Sequence, residues 1–519
     1  MRYFLLLLLL LAAPVWSQVI HRMQFNRFTH YDIEDWVTYA PSGIITAIDI
    51  GNDYVFLGTR DGGILRYDLY ENRWEFPFTT SSGLRSNHIV DVCFDLQTQR
   101  WFAQTPSGID EYNRAFNYWQ PSGRKILPPK RRPDPIEIDE YQHAKNYNFP
   151  PYYRPSLNEL PDFFTGRRWI FRPPDEIQDA YNRIFHLNPQ RIVDNFRTLW
   201  LSTNGLGVAR ADLNNWNLRI EQRGLTNISP RDLFLDKNSI WIGGLPFGDE
   251  PHGINRWFDR KDRWRSYEAR YIIDLDNDYI HCVTGNRRYV FFGSEYGLLR
   301  FDKRKKEWRT FSVAQRLNNN MVNDLLIHDG VLYIATNQGL NWMNVAYGHV
   351  ERSRDRNRIN FPVYQIAATD SAILLATDYG VYQYRPASDR FFYFDVKAAV
   401  SDMNISALDV NGDSLWIAGN QGIAVLNKRT GQWMSFPQIQ VQLGARVFDI
   451  AFSEQMVWFA TDRGLLKYDS RRDYWYLYTR EDGLASNRVF HIDPDGDDLW
   501  LSTDRGVTVF QWYRPGRIE

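Results

Sequence analysis

Cysteine is almost missing from this chain: Cys93 and Cys282 are the only two in 519 residues. That rules out a disulfide framework. Both fall on the first strands of non-adjacent repeat units, so two free, buried thiols are expected. Net charge is missing as well. Lys plus Arg is 61 and Asp plus Glu is 62, so no global field favours nucleic acid or an anionic membrane. Long apolar runs are confined to residues 1–17, where Arg2 and a leucine run precede Ala12-Ala13-Pro14-Val15-Trp16-Ser17. That run is too short to span a membrane and has the pattern of a secretory signal peptide. No cysteine follows the expected cut to carry a lipid anchor. After an N-terminal lead at 18–34, a soluble protein of the periplasm or cell surface is expected.

Catalytic signatures are also lacking. There is no Gly-x-Ser-x-Gly elbow, His-Glu-x-x-His, phosphate loop or Cys-x-x-Cys. No catalytic residue, metal ligand or cofactor is therefore assigned. Carboxylates are plentiful, so a pair formed only in space, as in a polysaccharide lyase or glycosidase on a propeller scaffold, stays open as the alternative function.

What the chain does have is repetition. Residues 487–494 read NRVFHIDP and residues 182–189 read NRIFHLNP. A self-match of this kind is read before anything else. Aligning the large residue of each unit's second strand gives Phe56, Trp101, Trp200, Trp241, Phe291, Tyr333, Leu375, Trp416, Trp458 and Trp500. From Phe291 the spacings are 42, 42, 41, 42 and 42. Short alternating strands at that period indicate propeller blades of four strands each. The fold class expected is all-β, a β-propeller of about ten four-stranded blades. Two smaller propellers are the alternative. Aromatics make up 16% of the chain, with 19 Trp, which suits many sheets packed face to face.

The last repeat lacks a fourth strand, and Asp35-Trp36-Val37-Thr38-Tyr39 is an orphan fourth strand at the other end. The N-terminal strand is expected to complete the last blade and close the ring, pairing residues 35–39 with 507–511. The propeller would then occupy 35–519. Glycines 339, 380, 422 and 464 end the second-to-third turns, where a hairpin needs positive φ.

Two units break the period. The step from Trp101 to Trp200 is 99 residues, with the surplus at 121–180, a stretch holding eleven prolines and many aromatics. The step from Trp241 to Phe291 is 50 residues, with the surplus at 245–252. Both insertions fall on connections of one face, the face that also carries the second-to-third turns. That face is the expected working surface. Its candidate binding residues are Asn337, Gln338, Asp378, Tyr379, Asn420, Gln421, Asp462, Arg463, Asp504 and Arg505, joined by Tyr152, Tyr153 and Trp169 of the insertion. Asn and Asp also suit turns for purely local reasons. Deleting 125–170 is expected to leave the fold intact and abolish partner binding.

One first-strand position is polar in most units: Asp91, His186, Asp232, His281, Asp324, Gln365, Asp449 and His491, with Ala47 and Ala407 in the remaining two. A ring of Asp and His beside a central channel could hold a metal or a polar ligand. The structural alternative, and the expected one, is that each side chain bonds a neighbouring backbone group.

Several segments carry a resemblance: 224–243, 320–339, 402–422 and 483–506, with Tyr67-Asp68, Phe301-Asp302 and Tyr468-Asp469 ending third strands. They resemble two-component regulator propeller repeats, with a Gly-Leu-x-x-Asn-x-Val start and a Leu-Trp-Ile-Gly-Thr-like second strand. The resemblance covers about residues 35 to 515. It implies the propeller fold; the missing catalytic motifs, rather than the resemblance, favour a non-enzymatic binding role. Family members often form the extracytoplasmic sensor of hybrid histidine kinases, or occur in exported proteins of the type IX secretion apparatus. The sensors' membrane span, kinase and regulator domain have no counterpart here. The expected partner is an envelope or secreted protein, or a glycan.

Overall fold

The computed structural model describes residues 34–130, 164–165, 169–172, 176–179, 182–215, 217–246, 252–258, 263–272, 275–394, 404–436 and 444–515. The expected signal peptide, the lead, Tyr152 and Tyr153 lie outside these residues. The described chain is all-β, with a few short 3-10 turns and no α-helix. No helix among these residues is long and apolar enough to cross a membrane.

Among the described residues ten sheets form, as the period predicts; nine have four strands and one has seven. Second strands are buried along their length, as in Met456–Thr461 and Tyr289–Ser294. Both faces of such a strand pack against neighbouring sheets, so its sequence is continuously apolar rather than alternating. Outer strands such as Glu307–Phe311 and Gln432–Phe436 mix exposed and buried positions. The hairpin glycines behave as expected. Gly339 has φ 93° and Gly464 φ 144°. A Cβ would lie 2.3 Å from the Ile359 carbonyl oxygen at the first and 2.2 Å from that of Tyr478 at the second.

The chain divides into two compact units. One comprises Met1–Trp36, Pro230–Phe234 and Ile280–Glu519; the other comprises Val37–Ser229 and Leu235–Tyr279. This corrects the expectation of one ring of ten blades. In the first unit, Ile280–Gly285 packs on Val322–His328, and so on through Val363–Ala368, Ile405–Asn411, Val447–Ser453 and Val489–Asp495. The two ends of that succession meet at Pro230–Phe234. Asp232 accepts the Val283 N–H at 2.6 Å, and His491 Nε2 lies 3.1 Å from Asp232 Oδ1. Seven first-strand segments thus close on themselves. The physical reason is angular: sheets packed face to face through bulky aromatic layers turn by a fixed wedge, and rings of four to eight blades are the usual outcome. The period does not encode that wedge.

The orphan strand does complete the last sheet, whose order places Trp36–Tyr39 next to Gly506–Gln511. The Gln511 N–H donates to the Asp35 carbonyl at 2.9 Å, and Trp36 stacks on Phe510 with centroids 3.8 Å apart.

The second unit contains the other departure. Part of the 121–180 insertion is not a surface loop. Phe164–Thr165, Trp169–Arg172 and Glu176–Asp179 are strands of the seven-stranded sheet. Trp169 is half-buried against the layer of Leu199, Leu201 and Leu218. Deleting 125–170 would remove Phe164–Thr165 and half of Trp169–Arg172, so the expected deletion cuts into this sheet. Cys93 and Cys282 are both free and buried. Burial pushes the Cys93 thiol up to about 12, so it is not a nucleophile at neutral pH.

Candidate functional site

The first strands of the first unit share one irregularity. Each carries a β-bulge near its start, at 281, 323, 364, 406, 448 and 490. A bulge inserts one unpaired residue and re-aims its side chain. The residue after each bulge holds the ring position. Asp324, Gln365, Ala407, Asp449 and His491 occupy it as expected. At 282 the occupant is Cys282, opposite Gly293, and His281 is the bulged residue. The ring position there is held by Cys282 and not by His281, which the sequence count predicts. In the second unit His186 faces Glu176 of an added strand. There Asp49, two residues past Ala47, accepts the Phe94 N–H at 2.7 Å.

The ring residues clasp neighbouring strands. Asp232 accepts from Leu233 N and Val283 N, and Asp324 accepts from Leu325 N and Ile366 N. Gln365 accepts from Leu408 N at 2.9 Å and donates to Asp449 Oδ1 at 2.7 Å. Asp449 accepts from Ile450 N and Ile492 N. His491 sits between Asp449, at 2.9 Å from Nδ1, and Asp232. Each acid thus satisfies its own strand and the next, the backbone-bonding reading expected from sequence. Among the described residues no group of three or more His, Cys, Asp and Glu is arranged to hold a metal ion.

Burial perturbs this network. It raises Asp232 to about 6, against the opposing charge of His491. It raises Asp324 and Asp409 to about 7. Burial alone would lower His491, but Asp232 and Asp449 outweigh it and hold the imidazolium up to about 10. The folded state therefore keeps protons that the unfolded carboxylates release between about pH 4 and 7. The charged His491 contributes fully below its ordinary pKa and less as pH rises towards about 10. Both effects have the same sign: stability falls as pH rises. We expect the thermal midpoint to be several degrees higher at pH 6 than at pH 9. Asp409→Asn should flatten the change between pH 4 and 7. A midpoint that rises from pH 6 to pH 9 would contradict the assigned shifts.

The second-to-third turns share a device of their own. Thr336, Thr377, Thr461 and Thr503 each donate Oγ1–H to the glycine carbonyl across the turn, and each accepts an N–H from within it. Gln338, Tyr379, Arg463 and Arg505 supply those N–H groups; Tyr379 and Arg505 are exposed, and Tyr379 also packs its ring on Phe361. Asn337 accepts from Asn323, and Asp378 from the Tyr364 hydroxyl at 2.7 Å. Asn420 accepts from Asn404 N, and Asp462 from Arg446 N. Gln421 is exposed beside Asn420. Asp504 differs: its Oδ1 is buried without a hydrogen-bond partner. Trp169 belongs to the other unit.

Three of the turn residues, Asp378, Asn420 and Asp462, line one cavity of about 330 Å3 with Tyr364, Ser406 and Arg446. A larger cavity of about 670 Å3 lies in the second unit. Its arginines are largely engaged: Arg183 with Asp179 and Glu268, and Arg210 with Glu221.

Sequence reasoning missed the bulged residues. Asn323 donates to the Val363 carbonyl and Ser406 to that of Val447, so they too clasp the next strand. Phe448 and Phe490 instead form a ring pair, centroids 5.4 Å apart, under three arginines. Arg231 lies 3.9 Å over Phe490, Arg446 5.4 Å over Phe448, and Arg488 spans both at 5.9 and 5.3 Å. The signal was present in sequence, as the residue just before the ring position in each repeat.

No family model and no curated protein matches the chain. Solved structures with a likeness include the extracellular domains of two hybrid two-component system proteins of B. thetaiotaomicron. The first is 14% identical over 92% of this chain and 71% of that one, with a TM-score of 0.46. The second is 13% identical over 91% and 75%, also at 0.46. PorZ, a surface component of the type IX secretion system of Porphyromonas gingivalis, is 13% identical over 90% and 74%, again at 0.46. At these identities and scores the overlays establish neither family nor function.

Proposed function

We propose that the chain is an exported, non-enzymatic binding module of the periplasm or cell surface. Its first unit, closed by a ring of seven first-strand segments, acts as a propeller, and its working face carries the second-to-third turns. Residues 1–17 act as the export signal and 18–34 as a lead. The partner is an envelope protein or a glycan, and the module serves sensing or secretion as a scaffold.

One observation carries this reading. The bulged residues reach the turns, Asn323 to Asn337 and Tyr364 to Asp378, so the strand starts and the turns make one polar surface. The acids that could have done chemistry are engaged in clasping backbone. Asp378 and Asp462, the carboxylates in the cavity, are each bonded to protein groups, which favours binding over a lyase or glycosidase.

The insertion, in the second unit, is a separate contact for the partner. Removing 131–163 spares every described strand. That deletion should leave the far-UV signal and cooperative melt unchanged and weaken capture of the envelope partner at least tenfold. A triple variant, Tyr379→Ala, Arg463→Ala and Arg505→Ala, should weaken it independently. Capture by both variants at the level of the parent chain would overturn the assignment of this face.

A further inference from the structure

The arginines over Phe448 and Phe490 have features that a structural role does not explain. Arg231 and Asp504 are both half-buried, and Arg231 Nε and Asp504 Oδ1 are buried atoms with no hydrogen-bond partner. Leaving such atoms unmet costs about 1–3 kcal/mol each, more when charged. The two groups are electrically close: burial and the like charge of Arg488 destabilise the Arg231 cation, and Asp504 stabilises it. Yet they do not bond each other. His281 stands nearby, with Nε2 3.4 Å from Glu295 Oε1.

The guanidinium groups of Arg231, Arg446 and Arg488 bond no carboxylate among the described residues, unlike Arg183 and Arg210 of the other unit. They lie over phenyl rings instead. That contact leaves the forked N–H edge of a guanidinium available, and this edge matches a carboxylate in bidentate fashion. Arg446 also lines the 330 Å3 cavity, so the arginine group and the cavity are continuous. The cavity is walled by Tyr364, Asp378, Asn404, Ser406, Asn420 and Asp462. Hydroxyls, amides and carboxylates of this kind recognise the hydroxyl groups of a sugar. Ile405 and Ala445 complete the wall, and their apolar surface suits the C–H face of a sugar ring.

We propose that this site binds an acidic oligosaccharide, with a uronic-acid carboxylate against Arg231 and Arg488, a hydroxyl donating to Asp504, and a neighbouring sugar residue in the cavity beside Arg446. The proposal rests on the turn-face reading above and narrows its partner to one chemical class. It explains why three like charges are gathered on one mouth, since an anion between them offsets their repulsion.

The test is calorimetric titration of the full chain with short oligogalacturonates and oligomannuronates, and with galactose and mannose oligomers of equal length. The uronates should bind and the neutral oligomers should bind at least tenfold more weakly. Raising the salt should weaken the uronates only. Arg488→Ala and Arg446→Ala lie at exposed positions and should leave the melting midpoint unchanged, while each weakens uronate binding about tenfold. Equal binding of acidic and neutral oligomers, no binding of any uronate, or unchanged affinity in the arginine variants would each overturn the acidic-sugar proposal. The turn-face reading is judged separately, by the 131–163 deletion and the triple turn variant.

Discussion

Replacing His491 by alanine is expected to destabilise the first unit by about 3–5 kcal/mol at pH 8, the loss typical of a buried ion pair deprived of one partner. The imidazolium stands between Asp232 and Asp449, 3.1 and 2.9 Å away. Neither carboxylate can leave. Asp232 is tied to the N–H groups of Leu233 and Val283, and Asp449 to those of Ile450 and Ile492. Without His491, two like charges face each other in a desolvated site. The chain's remedy is to protonate one of them, so the loss should shrink as pH falls towards 5. His491→Gln keeps a hydrogen-bonding side chain without the charge and should fall between parent and alanine. Urea unfolding followed by tryptophan fluorescence, read as two transitions where the units unfold separately, gives the midpoints. An alanine variant with an unchanged midpoint at pH 8 would show that this contact does not hold the ring closed.

The same residue shows where sequence stops being informative. NRVFHIDP and NRIFHLNP differ at few positions, and both histidines fall on first strands. His491 closes a ring of seven strands. His186 pairs instead with Glu176, on a strand contributed by the insertion. Nothing within eight residues distinguishes the two, because the difference lies in what packs alongside. What could be read was local: the 42-residue period, the short strands and the glycines with positive φ. Each follows from strand alternation or turn chemistry inside one repeat. The point of closure depends on the angle between sheets, which no single repeat specifies. The site is intermediate. The turn residues were legible as turns, and most prove to be engaged in holding them. Phe448 and Phe490 were in view, but a one-residue bulge removes them from the alternation that sequence patterns follow.

The orphan strand leads to the other large effect. Trp36→Ala is expected to cost the first unit about 3–5 kcal/mol, as for a large aromatic removed from a packed core. Trp36 is 2% exposed, lies parallel to Phe510 with an interplanar angle of 5°, and meets Tyr478 at 5.9 Å. It belongs to a layer with Trp458, Leu484, Leu501 and Trp512. The fit is tight on the far side as well. A Cβ on Gly483, which has φ 133°, would stand 2.4 Å from Trp36 Cγ, so Gly483→Ala should damage the same layer from the opposite direction. The backbone tie is short: the Asp35 carbonyl accepts from Gln511 N, and Asp35 pairs with Arg514 at 3.2 Å. Loosening the strand would expose the edge of Gly506–Gln511, a row of unpaired N–H and C=O groups that templates association. Trp36→Ala should therefore lower the urea midpoint and also promote oligomers, visible by light scattering after gel filtration. The second readout separates a lost clasp from a simple cavity, which would lower the midpoint of a chain that stays monomeric. A variant with the parent's midpoint and the parent's elution would mean that the N-terminal strand decorates the last sheet without securing it.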